Sequence, residues 1–130
     1  MTPAQMSLGD FVQQILARVG SEELSFQNER PWHELFYTLK KRQPSPDRPA
    51  FLDSLFFEWN GPYPHSEELS QYLHGLHWVG CLSAGNPTYD TFTVNPQVSE
   101  IWRRVPLEGG LDRFVADCAQ QVIADIAVHQ

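Results

Sequence analysis

Ten prolines, at positions 3, 31, 44, 46, 49, 62, 64, 87, 96 and 106, limit how far any helix or strand of this chain can run. A proline inside a helix removes a backbone hydrogen bond and clashes with the preceding turn, so each one starts an element or stops it. Eight glycines add further stops. The chain is therefore cut into short elements, with no room for a long coiled coil or a pure helix bundle. One hundred and thirty residues, 42% of them apolar, supply one core of ordinary size and no second one. We read residues 1–130 as a single domain. No apolar stretch approaches the roughly 20 residues of a membrane span. Met1–Ser7 lacks the basic cluster and apolar run of a signal peptide. These features predict a cytoplasmic protein.

Local signals predict the elements. Ser7 and Asp10 have near capping-box spacing, and Leu8, Phe11, Val12, Ile15, Leu16 and Val19 recur at helical intervals, so a helix runs to Val19 and stops at Gly20. Leu24 and Phe26 suggest a short strand. Pro31 opens a second helix to Lys41, with Trp32, Leu35, Phe36 and Leu39 inward and Lys40, Lys41 and Arg42 at the end that favours cations. Gln43–Pro49 is a proline-rich loop. Phe51–Trp59 fits helical and extended spacing equally. After the Gly61-Pro62-Tyr63-Pro64 turn, Ser66 caps a helix to Val79 whose stripe is Leu69, Tyr72, Leu73 and Leu76. Gly80 ends it. Cys81–Ser83 and Tyr89–Val94, around a Gly-Asn-Pro turn, read as a β-hairpin. Asn95 and Pro96 start a helix to Arg104. Leu111 to about Val128 forms the last helix, with Leu111, Phe114, Val115, Cys118, Val122, Ile123 and Ile126 in one stripe.

A helix leading straight into a hairpin is the outline of a winged helix-turn-helix domain. Residues 57–84, FEWNGPYPHSEELSQYLHGLHWVGCLSA, resemble prokaryotic winged-helix proteins in which an aromatic segment ends in a GPYS or GPV turn before the wing-side helix. These are antitoxin-like and Panacea-type proteins, found near toxin and phage-defence genes. The resemblance covers about residues 55–94. Pro64 stands where that group has its capping serine, and Ser66 takes over the role two residues later. The resemblance implies an α+β, mostly helical fold: a winged-helix-like core over 1–95 with a small β-hairpin wing, followed by C-terminal helices over 96–130. It also implies a binding or regulatory module, with no catalytic residue to carry over. Independently of it, Gly61, Pro62 and Pro64 set the chain direction before the helix, with Tyr63 as a wedge beneath it.

Charge bears on the partner. The formal net charge of −7 divides into 0 over residues 1–44, −5 over 45–94 and −2 over 95–130. The helix and hairpin that would read DNA thus lie in the most acidic third, and neither contains Lys or Arg. Phosphate neutralisation supplies most of the affinity of a DNA binder. We therefore expect a protein partner, met by Tyr63, Glu67, Glu68, Gln71, His74, His77, Trp78, Asn86 and Tyr89. A DNA-binding regulator is the alternative. Lys40, Lys41 and Arg42, the only basic run, are an alternative contact for phosphate or an acidic partner. The apolar stripe of the last helix suggests homodimerisation.

Chemistry is sparse. His65, His74 and His77 crowd thirteen positions, and with Cys81 they can be drawn as H-x2-H-x3-C, but the spacing matches no zinc module. They read as surface histidines, with a pH response as a further reading. Cys81 and Cys118 lack CxxC spacing and read as small buried groups. No nucleophile elbow, phosphate loop, dinucleotide fingerprint, HExxH or paired-carboxylate motif is present. We expect no catalysis, no metal and no cofactor.

Overall fold

Helix α1 (Leu8–Val19) begins where Ser7 and Asp10 close a reciprocal cap. The Ser7 N–H donates to Asp10 Oδ2 and the Asp10 N–H to Ser7 Oγ, each over 3.1 Å. This satisfies two backbone donors that the helix itself cannot. The computed structural model describes residues 1–19, 24–25, 29–42, 46–78, 82–84 and 91–126. Within these, the order is α1, β1 (Leu24–Ser25), α2 (Arg30–Lys41), a 3-10 turn (Ala50–Asp53), α3 (Glu67–Trp78), β2 (Leu82–Ala84), β3 (Thr91–Val94), α4 (Pro96–Arg103) and α5 (Gly109–Asp125). The fold is mostly helical.

Helix α1 is the axis of the core. Phe11, Val12, Ile15, Leu16, Ala17 and Val19 are all buried. The Phe11 ring meets Phe36 of α2, Phe51 of the 3-10 turn and Phe114 of α5, at centroid distances of 5.6, 5.5 and 6.1 Å. Helices α4 and α5 both pack on α1. Gln14 donates to the Trp102 carbonyl (2.8 Å), and Ser99 Oγ and Arg103 Nε both donate to the Ala17 carbonyl. The C-terminal helices therefore complete the core rather than follow it. Of the predicted stripe of α5, Leu111, Val115, Cys118, Val122 and Ile126 are buried inside this chain, and Phe114 and Ile123 are half-buried. Most of the stripe expected to offer a dimer face is thus spent on the core of its own chain.

The strands form one antiparallel sheet in the order β1-β3-β2. Leu24 and Ser25 pair with Phe92 and Thr91, and Leu82, Ser83 and Ala84 pair with Val94, Thr93 and Phe92. The short strand predicted at Leu24 is thus an edge of the sheet and β3 its centre. Gly20, Phe26, Val79, Gly80, Cys81 and the turn residues 85–90, with Asn86 and Tyr89, lie outside the described residues, as does the expected end of α5 near Val128.

Two starts match the sequence reading closely. Asn95 Oδ1 accepts the Gln97 N–H with Pro96 at the head of α4, and Ser66 Oγ accepts the Leu69 N–H at the head of α3. The ambiguous stretch 51–59 resolves into both alternatives, a 3-10 turn and then extended chain. Glu58 exchanges two backbone hydrogen bonds with His65, so residues 58–65 form a narrow loop with the Gly-Pro-Tyr-Pro turn at its tip.

The end of α2 holds a correction. Its carbonyls are capped by Arg48, from the proline-rich loop, more than by the local cations. Arg48 is only 6% exposed. It donates to the Leu39 and Lys40 carbonyls (3.1 and 2.8 Å) and pairs with Asp53 at 2.9 Å. The fork of a guanidinium suits this arrangement and a point-like ammonium does not. At the start of α5, a Cβ on Gly110 would run into the Asp47 carboxylate, so glycine lets an acid approach the positive helix end. We predict that Arg48→Ala lowers the unfolding free energy by about 1–3 kcal/mol, since it removes the guanidinium donors of the Leu39 and Lys40 carbonyls, while the exposed Asp53 carboxylate returns to water. Arg48→Lys should recover less than half of that loss. Urea unfolding of the three proteins checks both; full recovery by lysine would refute the capping role.

Candidate functional site

The heads of α2 and α3 meet in a polar knot. Glu29 caps α2 by position, and its carboxylate reaches across to α3. It accepts Ser70 Oγ (3.0 Å to Oε2), and His74 Nε2 lies 3.0 Å from its Oε1. One turn along α2, His33 is 0% exposed. Its Nδ1 accepts the Ser66 N–H over 3.0 Å, and its Nε2 faces Glu29 Oε2 at 3.4 Å. The two contacts specify the imidazole. Nδ1 accepts, so in the neutral ring the proton is on Nε2, which donates to Glu29. Burial is the largest influence on this ring and holds its pKa below the ordinary 6.5, while the hydrogen bond to Glu29 opposes the shift.

Ring packing continues the knot outward. His65 stacks on His33 with centroids 4.5 Å apart and planes at 23°, and Tyr63 leans on His33 at 5.7 Å. Tyr63, expected as a wedge beneath α3, packs instead against His33 of α2. Arg30 lies over the Tyr63 ring at 5.8 Å, and Lys41 over Tyr37 at 5.4 Å. Tyr37 makes T-shaped contacts with Phe57 and Trp59, each at 5.4 Å. Beyond this cluster Phe56 and Trp59 are 65% and 61% exposed. Glu58, Asn60, Gly61, Pro62, Tyr63 and His65 line a groove of about 230 Å³.

Glu29, His33 and His65 offer ligand atoms within 4.8 Å of one another. The donor chemistry opposes a metal there. A histidine ligand usually donates from its second nitrogen to an acceptor. The second nitrogen of His33 instead receives an N–H, so binding through Nε2 would require an imidazolate or the loss of the α3 contact. We keep the reading that this is a structural knot.

Of the residues proposed from sequence, Tyr63 and His74 join the knot. Glu67 and Glu68 are exposed on the first turn of α3, and Gln71 donates to Glu67. The side chains of His77 and Trp78 lie outside the described residues, with Asn86 and Tyr89. The expected cluster of three surface histidines is corrected at one position: His65 is half-buried and stacks on the buried His33, while His74 is exposed against Glu29. Lys40 leaves the basic run, because its ammonium donates to the Leu55 carbonyl and lies 3.4 Å from that of Asp53. Lys41 and Arg42 are exposed. Cys118 is buried, and burial pushes its thiol up to about 12, so it packs as an inert apolar group. Sequence reasoning missed Glu29, His33, Ser70, Phe56 and Trp59. The available signal was paired i, i+4 spacing, Glu29 with His33 and Ser66 with Ser70.

The unfolded chain binds a proton at His33 more readily than the folded one does. Stability from the neutral ring is therefore fully present above pH 6.5 and is lost as pH falls from there toward the lowered folded value. His33→Gln keeps an acceptor and a donor but does not titrate. We predict that it removes a slope of at most about 1.4 kcal/mol per pH unit. Unfolding titrations between pH 5.5 and 7.5 check this; equal slopes in both proteins would contradict it. We also predict that equimolar Zn2+ leaves the melting temperature unchanged, and a rise of several degrees would mean that His33 releases Ser66. Comparison with family models, with curated proteins and with solved structures finds no match to this chain.

Proposed function

We propose that the protein is a non-catalytic binding module of winged-helix-like build whose partner is another protein. The observation that carries this is the exposure of Phe56 and Trp59 on a segment, 53–68, that contains four acids and no Lys or Arg. Exposed large aromatic side chains are common anchors of protein interfaces. The element order, helix–strand–helix–helix–strand–strand with β1 on β3, supports the winged-helix reading. In that reading α3 is the recognition helix and β2–β3 the wing. The connection between α2 and α3 is longer than a helix-turn-helix turn, and it is the part that carries the aromatic side chains. An antitoxin-like or phage-defence setting rests on the resemblance of residues 57–84 alone.

DNA binding is the second reading, and the charges oppose it. Helix α3 carries Glu67 and Glu68 on its exposed first turn and has no cation to meet phosphate. Lys40 is held by backbone carbonyls, which leaves Lys41 and Arg42 of the basic run. Two cations release few counterions, and the affinity they supply falls away at physiological salt. A titration against mixed-sequence duplex DNA at low and at physiological salt tests the proposal. We expect no saturable binding at physiological salt. Tight binding that falls steeply as salt rises would overturn the protein-partner reading in favour of a DNA-binding regulator.

A further inference from the structure

We infer that the contact between His33 and Ser66 is an acid-sensitive latch: protonation of His33 detaches residues 63–66, the end of the loop and the head of α3, from α2 while the rest of the fold stays closed. The latch does not depend on the identity of any partner. Nδ1 of His33 accepts the Ser66 N–H over 3.0 Å, and both residues are buried. An imidazolium carries a proton on each nitrogen and has no acceptor left. Protonation therefore turns this contact into two donors facing each other. Ser66 heads α3, so its N–H has no intrahelical carbonyl to return to.

The surroundings decide which side of the ring gives way. Nε2 faces Glu29 Oε2 at 3.4 Å, and a charged ring holds that carboxylate more firmly. Glu29 caps the helix that carries His33, so this gain keeps the ring on α2 and does nothing for Ser66. From the loop, His65 stacks on the ring at 4.5 Å, and a charge on it opposes a charge on His33. Tyr63 leans on the ring at 5.7 Å, and Arg30, over the Tyr63 face, adds a fixed positive charge one ring away. From α3, the Glu67 carboxylate favours the charged ring, and His74 meets the other Glu29 oxygen. Burial outweighs these attractions and keeps His33 neutral until the pH falls below the ordinary imidazole range. The opening is short because both flanks are held elsewhere. On one side Phe57 and Trp59 pack on Tyr37 of α2. On the other, Leu69 is fully buried, and Ser70 and His74 hold Glu29. The His65 N–H, bonded to the Glu58 carbonyl, lies within the segment that loosens.

Hydrogen exchange of the full chain, read by NMR, tests the latch. Amide protection, corrected for the intrinsic exchange rate, is measured at pH 7.5 and 5.5, with and without dilute urea. At pH 5.5 we expect the Ser66 and His65 amides to be at least roughly tenfold less protected than those of Ile15 in α1 and Val115 in α5, and indifferent to urea, as local opening requires. Between the two pH values Ser66 should lose protection severalfold and at most about tenfold, the limit for one imidazole of ordinary pKa in the open state. His33→Gln should abolish that loss. His65→Phe, which keeps a ring on His33 that takes no proton, should retain it. Ser66 protection equal to that of the core, with the same urea response, would mean that His33 is reached only by global unfolding and would overturn the inference. So would a pH dependence that survives in His33→Gln or vanishes in His65→Phe. Should His33→Gln not fold, the comparison within the parent protein and the His65→Phe result decide.

Discussion

One buried imidazole fixes the relation between α2 and α3. His33 has no access to water, so both its nitrogens must find partners inside the protein. One partner is the N–H of Ser66, a donor at the head of a helix that no intrahelical carbonyl can satisfy. The other is the Glu29 carboxylate, which Ser70 and His74 approach from α3. Each group answers a need created by another. Removing the imidazole would leave a buried N–H unmet and a carboxylate short of a donor, which costs more than one ordinary hydrogen bond. The same ring supplies the flat surface on which His65 stacks, and through His65 it holds the loop whose tip is the Gly-Pro-Tyr-Pro turn.

The exposed aromatic side chains stand on that support. Apolar surface turned to water opposes folding, and Phe56 and Trp59 are tolerated because the core is complete without them. Phe11 gathers rings from α2, α5 and the 3-10 turn, and α4 and α5 close over α1. Arg48 fixes the far end of α2 by capping Leu39 and Lys40 while holding Asp53. Helix α2 is thus anchored at both ends, by Glu29 and His33 at one and Arg48 at the other. Within the segment between α2 and α3, Arg48, Leu52 and Leu55 stabilise the fold, while Phe56 and Trp59 are turned to water.

What was legible in the sequence was local. Ser7 with Asp10, Ser66 before Leu69, and Asn95 followed by Pro96 declare helix starts because cap and partner lie two or three residues apart. The apolar stripes of α1 and α5 were equally clear, since a stripe is a property of one helix. What covers a stripe is not, and the stripe of α5 turned out to face α1 of the same chain. The knot joins residues as far apart as His33 and Ser66, and i, i+4 spacing marks only the pairs within each helix, not the contact between the helices. Arg48 was read as part of a loop because nothing nearby shows that a guanidinium nine residues on returns to the Leu39 carbonyl. The candidate site was half legible for the same reason. Tyr63 and His74 were found through the turn and helix that carry them, while Phe56 and Trp59 resemble core residues until their exposure is known.

The junction of α2 with α3 depends on the state of His33, and the imidazole nitrogens report it directly. Nitrogen-15 chemical shifts of the labelled protein, recorded at neutral pH with the ring assigned through His33→Gln, distinguish the two neutral tautomers and the imidazolium. The account predicts a neutral ring with the proton on Nε2 and an unprotonated Nδ1 that accepts the Ser66 N–H. A proton on Nδ1, or a charged ring at neutral pH, would contradict it and would remove the support on which the loop is built.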